Sequence, residues 1–170
     1  MEDDLAPLMR RAFSLCGEDF NLDGPFYRQN LRPVEYETLL DLAFSTLRYA
    51  ETVLVNAPFG REVRDPLRMR QLKERAGALD AQLILVWVSA PLAVCHARMQ
   101  ARNADRDRGK LADWEAYASG IDYSPPQILS DAGSVDRLMI FDNTDLQTAG
   151  LSLSRLLKML EEDSQWAGKK

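Results

Sequence analysis

Histidine and cysteine are scarce in this chain. Of 170 residues, one is histidine, His96, and two are cysteine, Cys16 and Cys95. A single imidazole excludes His-rich metal sites and argues against a Ser-His-Asp hydrolase. Two cysteines build no disulfide framework, so reduced thiols in a cytoplasmic protein are expected. Apolar runs of ~18 residues are absent, which leaves no membrane span to read. The first residues, MEDDLAPLMRR, are acidic and hold no apolar signal core. Excess basic charge is lacking too. The net charge is -5 and the pI about 5.0, a balance that disfavours general nucleic-acid binding. Internal repeats, low-complexity tracts and linkers are not visible either, so one domain over residues 1–170 is expected.

What is present is an uneven charge distribution. Residues 61–110 hold 11 of the 21 Lys and Arg but only 6 of the 26 Asp and Glu. A cationic middle on an acidic body suits a small anionic ligand such as a nucleotide phosphate. Charged helix faces can also scatter this way by chance.

Periodicity outlines the elements. Residues 4–16 read as a helix through Leu5, Leu8, Met9, Ala12 and Phe13, with Asp3 and Asp4 at its start. Residues 17–33, GEDFNLDGPFYRQNLRP, carry the breakers Gly17, Gly24, Pro25 and Pro33 and read as irregular. A second helix is expected over about Val34 to Ala50. Thr52 to Ala57 (TVLVNA) reads as a strand buried on both sides, closed by the turn Asn56-Ala57-Pro58-Phe59-Gly60. A helix follows from about Pro66 to Ala78. Ala81 to Ser89 (AQLILVWVS) is the strongest strand. Helices are expected over Pro91 to about Asn103 and Leu111 to Ser119, a third strand over Arg137 to Asp142, and a last helix over Leu146 to Glu161 through Leu153, Leu156, Leu157 and Leu160. The tail SQWAGKK is expected to fray. Strands alternating with helices imply a parallel sheet covered on both faces, with ligands beyond the strands' carboxyl ends. Those ends are Asn56–Phe59, Ser89–Pro91 and Asp142–Asn143.

Several constellations could carry chemistry. Arg98, Arg102 and Arg106 stand at i, i+4 and i+8. On one helix such a set drifts only ~40° around the face, because each residue turns ~100°. Three aligned guanidiniums could grip phosphate oxygens with paired hydrogen bonds. Asp105 and Asp107 interleave with them, so some of the arginine charge could be held in position or neutralised, and a solvated helix with surface ion pairs fits the same pattern. Asn56 closes an apolar strand where a metal-linked or substrate-linked group would sit, or merely caps a turn. Asp142 and Asn143 end the third strand in the same way and have the same turn-forming alternative. Asp3 and Asp4 could include a general base toward a hydroxyl, or could simply cap the helix. His96 and Cys95 lack partners at metal spacing and read as packing or surface residues, and Trp87 and Trp114 as core. Neither G-x-G-x-x-G nor G-x-x-x-x-G-K-S/T occurs. The Gly-Lys pairs, Gly109-Lys110 and Gly168-Lys169, have Ala104 and Asp163 five residues before their glycines.

The order VLVNAPF, REVRD, VWVSAP, CHARMQARNADRDRGKLADWEAY and IFDN resembles the P-loop kinase-like ATP-binding proteins related to polynucleotide kinase and zeta toxin, across about residues 1–160. The resemblance implies a three-layer α/β/α fold with a mostly parallel sheet, and an ATP-dependent phosphotransferase acting on a small molecule or nucleic-acid end. ATP and Mg2+ are implied as cofactors. The stretch from Arg102 to Leu111 matches the family's lid over the ATP phosphates, within an arginine-rich segment of about residues 90–120. It would make Arg102 and Arg106 lid arginines, with Arg98 and Lys110 beside them and Arg106 also stabilising the transferred phosphoryl group. Asp4 or Asp3 would orient or deprotonate the acceptor, and Asp142 and Asn143 would lie near the adenine. Asn56 would sit at a strand end. Residues 17–33 and 58–65, with Phe59, Arg61 and Arg64, would shape the acceptor pocket.

The family's first strand, phosphate loop, first helix and second strand find no counterpart in the sequence, so weak or absent catalysis is expected. Three arrangements would accommodate this: a shortened form of a kinase-like protein, direct pairing of Thr52–Ala57 with Ala81–Ser89 in a three-stranded sheet, or a strand from another chain. A homodimer is compatible with the last. The alternative from another class is a non-catalytic nucleotide-sensing or protein-interaction domain.

Overall fold

The computed structural model describes residues 2–22, 24–104, 107–126 and 133–167. They gather into two compact units, Met1–Gln82 and Leu83–Lys170.

The first unit is helical. Helix α1 spans Glu2–Leu15, and its apolar face turns Met9 and Phe13 inward, leaving Phe13 only 1% exposed. Gly17 stops the helix. Its φ of +71° is a conformation glycine adopts at little steric cost. There Glu18 N–H donates to the Phe13 carbonyl and Gly17 N–H to that of Ser14, the Schellman pattern that satisfies a helix's last carbonyls. Phe13 is the centre of an aromatic cluster, with ring centroids 5.3 Å from Phe20, 5.7 Å from Phe26 and 6.4 Å from Tyr27.

Of the stretch 17–33 expected to be irregular, residues 25–33 are helical. Tyr27–Leu31 form a π-helical turn that runs directly into α2, Arg32–Thr46. Pro33 does not interrupt it: it lies in the first turn of α2, directly after the π-helical turn, where its fixed φ suits the helix. Tyr36, Leu39, Leu40 and Ala43 form the buried face of α2. A short 3-10 turn, Glu62–Arg64, then leads to α3, Pro66–Gly77. Asp65 caps α3 by accepting from Leu67 N–H at 2.9 Å and Arg68 N–H at 3.2 Å, and Met69, Leu72 and Ala76 face inward. Glu37 pairs with Arg68 and Asp41 with Arg75, in the same sense along both helices.

The strand expected over Thr52–Ala57 does not form. No residue from 51 to 58 belongs to a strand, and Leu54 is 79% exposed. Strand composition specifies a surface that fits a pleated neighbour, and without a paired strand the ladder has nothing to bond to.

The second unit opens with β1, Ile84–Ser89, followed by α4, Leu92–Arg102. Asn103, at φ 47°, ends α4 in the left-handed region. The single helix expected over 111–119 is instead two, α5 at Arg108–Ala112 and α6 at Trp114–Ser119. They break at Asp113, whose carboxylate accepts from Ala116 N–H and caps the second. Strand β2, Arg137–Asp142, lies parallel to β1 in a register from Ile84–Arg137 to Ser89–Asp142. Asn143 N–H continues the ladder to the Ser89 carbonyl at 2.8 Å.

The described sheet has only these two strands, so the three-stranded arrangement is not formed. Nor is it buried on both sides: β1 is at most half-buried, and Val88 is 59% exposed. Helix α7, Leu146–Ala167, packs on β2. It runs beyond Glu161 into the tail expected to fray; residues 168–170 lie outside the described part. Its buried Ser152 accepts from Asp142 N–H at 3.0 Å. Leu153 and Leu157, expected on its inner face, are about half exposed.

Candidate functional site

The carboxyl ends of β1 and β2 lie side by side, and α4 leaves the end of β1 after Pro91. Arg98 reaches from α4 to the segment after β2. Its Nη1 donates to the Asn143 carbonyl at 2.7 Å and its Nη2 to the Thr144 carbonyl at 3.1 Å. This guanidinium clips a helix to a strand end.

Asp142 is engaged locally as well. Its Oδ1 accepts from Thr144 N–H at 2.9 Å and from the Thr144 hydroxyl at 2.6 Å. Those two bonds, hydroxyl first, hold its carboxyl below the usual carboxylate range. Asn143 contributes through its backbone, donating to Ser89 and accepting from Arg98. Asp142 and Asn143 therefore act as the turn former that the sequence left open.

Asp107, which the sequence interleaves with the arginines, organises their segment. Asp107 is 1% exposed. Its Oδ2 accepts from Arg102 Nε at 2.9 Å and Nη2 at 2.7 Å, and Lys110 Nζ lies 3.9 Å from Oδ1. A buried carboxylate thus fixes two cations, one on each side, while the Arg102 side chain stays 48% exposed. The interleaving of Asp107 among arginines was the visible signal; its burial was not. Arg106 and Asp105 lie outside the described residues.

The same segment is tied down by rings. His96 on α4 stacks on Trp114 of α6 with centroids 4.3 Å apart and planes 16° apart, and Trp114 meets Tyr117 at 5.5 Å. Trp87 and Trp114, expected in the core, are half-buried. Tyr123 follows α6, and burial, then the neighbouring Tyr117, pushes its hydroxyl up to about 12.

The remaining candidates lie in the first unit. The backbone of Asp3 and Asp4 forms the first turn of α1, while their carboxylates lie outside the described part of the structure. Asn56 is exposed. Phe59 packs edge-on against Tyr36 at 5.2 Å. Arg61 is exposed and Arg64 half-buried around the 3-10 turn. Arg61 lines a shallow cleft of about 280 Å³ with Arg32, Tyr36, Glu37, Glu62 and Arg68. Within it Arg32 makes a two-pronged bond to Glu62, at 2.6 and 3.3 Å, and lies 4.0 Å over the Tyr36 ring. Deeper in this unit Tyr27 donates to Glu35 at 2.5 Å between two buried side chains.

Among the described residues no three His, Cys, Asp or Glu side chains come together as metal ligands, and Asp142 already serves Thr144. No helix among the described residues is long and apolar enough to cross a membrane. Comparison with known proteins finds no matching family model, no matching curated protein and no matching solved structure.

Proposed function

We propose that this chain is a nucleotide-binding domain of kinase-like, phosphotransferase type, and that its arginine segment grips the nucleotide's phosphates. One observation carries the reading: Arg102 is held in a fixed pose by a buried carboxylate, yet keeps half its side chain in solvent, with Lys110 on the other side of the same carboxylate. A guanidinium pre-positioned in this way loses less side-chain freedom when it meets a second anion. The two cations exceed the one carboxylate by one charge, which favours a phosphate oxygen over a neutral ligand. The parallel β1–α4–β2 order supports the α/β/α kinase architecture, in which ligands gather at strand carboxyl ends.

Arg98 has a different place in this reading. With both terminal nitrogens on main-chain carbonyls, it positions α4 and does not itself grip phosphate. Arg106, if it joins Arg102, would supply the charge stabilisation that phosphoryl transfer chiefly needs. Asp4 or Asp3 would be the acceptor's base. Phe59, Arg61 and Arg64 would border the acceptor, a small molecule or nucleic-acid end. Weak or absent turnover is part of the proposal, because no glycine-rich Walker sequence provides a backbone cradle for the β-phosphate.

The second reading is a nucleotide sensor or interaction domain without catalysis. The engagement of Arg98 and Asp142 in local bonds favours it. Calorimetric titration with ATP·Mg2+ tests both readings. Binding in the micromolar to millimolar range is expected, with Arg102→Lys weakening it about tenfold (~1.4 kcal/mol), since lysine keeps the charge but not the fork. Absence of heat at millimolar nucleotide overturns the nucleotide role. Binding without phosphate transfer to any acceptor favours the sensor.

A further inference from the structure

Residues 51–57, Glu-Thr-Val-Leu-Val-Asn-Ala, have the composition of a strand and the bonding of none. From Glu51 to Asn56 no backbone or side-chain group makes a hydrogen bond to any described residue. Exposure nevertheless alternates as in a strand. Thr52, Leu54 and Asn56 face solvent, whereas Val53, Val55 and Ala57 are half-buried. Period two is the signature of a chain with one covered face and one open face.

Both ends of the segment are anchored. Ala50 N–H donates to the Thr46 carbonyl at 3.1 Å. At the other end the Pro58 carbonyl accepts from the Tyr36 hydroxyl at 3.5 Å, and the Phe59 ring sits on Tyr36. The stretch is thus presented between fixed points, with a row of open N–H and C=O groups and an exposed leucine at its centre. Such an edge is a template for strand addition.

We propose that this segment pairs with the same segment of a second copy of the chain, antiparallel about a two-fold axis through Leu54. The sequence complements itself in that register. Leu54 meets Leu54 of the other copy, Val53 meets Val55, and Thr52 meets Asn56. Glu51, the segment's only charge, lies opposite Ala57, so no like charges face each other. Apolar pairs at the centre flanked by polar pairs are the cross-strand arrangement that stabilises antiparallel ribbons. A two-fold axis makes the contact isologous, and such an interface closes on itself as a dimer. Seven residues per copy make a small interface, so dissociation in the micromolar range or weaker is expected. Each copy carries a net charge of -5, and their mutual repulsion is screened by salt. Dimerisation should therefore strengthen from low to moderate ionic strength. None of this rests on the nucleotide reading.

Single-cysteine versions of the full chain, made in a Cys16→Ser, Cys95→Ser background, test the proposal. Leu54→Cys should form a disulfide-linked dimer under mild oxidation at least tenfold faster than Leu67→Cys, a comparably open position on α3. Thr52→Cys and Asn56→Cys should link slowly alone and quickly when mixed, which reads out the register. Sedimentation of the unmodified chain should show a concentration-dependent dimer that Leu54→Asp abolishes. The cross-linking series keeps the test valid should Leu54→Asp fail to fold. A monomer at every concentration, or equal linking rates at positions 54 and 67, overturns the proposal. So does a monomer that instead takes an extended apolar peptide onto this segment.

Discussion

At the scale of single residues, two buried carboxylates organise their surroundings. Asp107 is covered and Arg102 half-open, so the two halves of that pair are unequal. Arg102→Ala leaves a buried carboxylate with only Lys110 3.9 Å away, whereas Asp107→Asn leaves a guanidinium that water can reach. The first should cost about 2–3 kcal/mol and the second about 1 kcal/mol, below the full penalty of a wholly buried pair because Arg102 is partly solvated. Urea unfolding of both variants checks the order. Glu35 depends in the same way on Tyr27. Tyr27→Phe strips it of the donated bond and is expected to cost about 1–3 kcal/mol. Burial, and then the bond to Glu35, raise the Tyr27 hydroxyl well above its ordinary 10.0. The folded state thus holds a proton that the unfolded chain releases near pH 10. This tyrosine's contribution is complete below about pH 10 and shrinks as alkali is added. Denaturation followed from pH 8 to 11.5 should show the parent losing stability faster than Tyr27→Phe above pH 10.

Helix ends carry much of the specification among the elements. Asp145 accepts from Thr148 N–H at 2.8 Å, while the Thr148 hydroxyl accepts from Asp145 N–H at 3.1 Å. This reciprocal cap starts α7. The Thr148 backbone bond is the main cause holding the Asp145 carboxyl below its ordinary value. A depressed carboxyl stabilises above its unfolded pKa and stops doing so as pH falls through the folded one. Asp145→Ala should therefore lower the melting temperature at pH 7, with the gap to the parent closing as the pH is taken into acid below the ordinary aspartate range. Such caps were legible in part. Pro66 and Gly17 marked a start and a stop that the structure keeps, and RLMIFD is a strand with the bounds read from the sequence. Legibility failed where an element needs a distant partner. TVLVNA has strand composition, yet nothing described pairs with it. Pro33 looked like a breaker but occupies a first turn, because five π-helical residues deliver the chain to it already coiled.

For the molecule as a whole, the deepest packing lies among helices and not at the sheet. Phe13 and Leu39 are nearly inaccessible, while Val88 on β1 and Ile140 on β2 are 59% and 42% exposed. Phe13→Ala should cost about 3–5 kcal/mol, and Val88→Thr about 0.5 kcal/mol or less. Chemical denaturation of the two variants separates these outcomes, and a large loss at Val88 would place a partner on that strand. The candidate residues divide between the units, with Asn56, Phe59, Arg61 and Arg64 in the first and Arg98, Arg102, Lys110, Asp142 and Asn143 in the second. By itself the amino-acid order determined roughly where most helices lie, included β1 and β2 among three expected strands, and showed that cationic side chains cluster after β1. Propensity, capping and periodicity act over a few neighbours, and a linear reading captures them. Only the tertiary structure decided that Asp107 is buried beneath Arg102, that Arg98 holds main-chain carbonyls, and that residues 52–57 make no ladder. Burial and pairing depend on groups tens of residues away, and the local pattern does not encode their arrival.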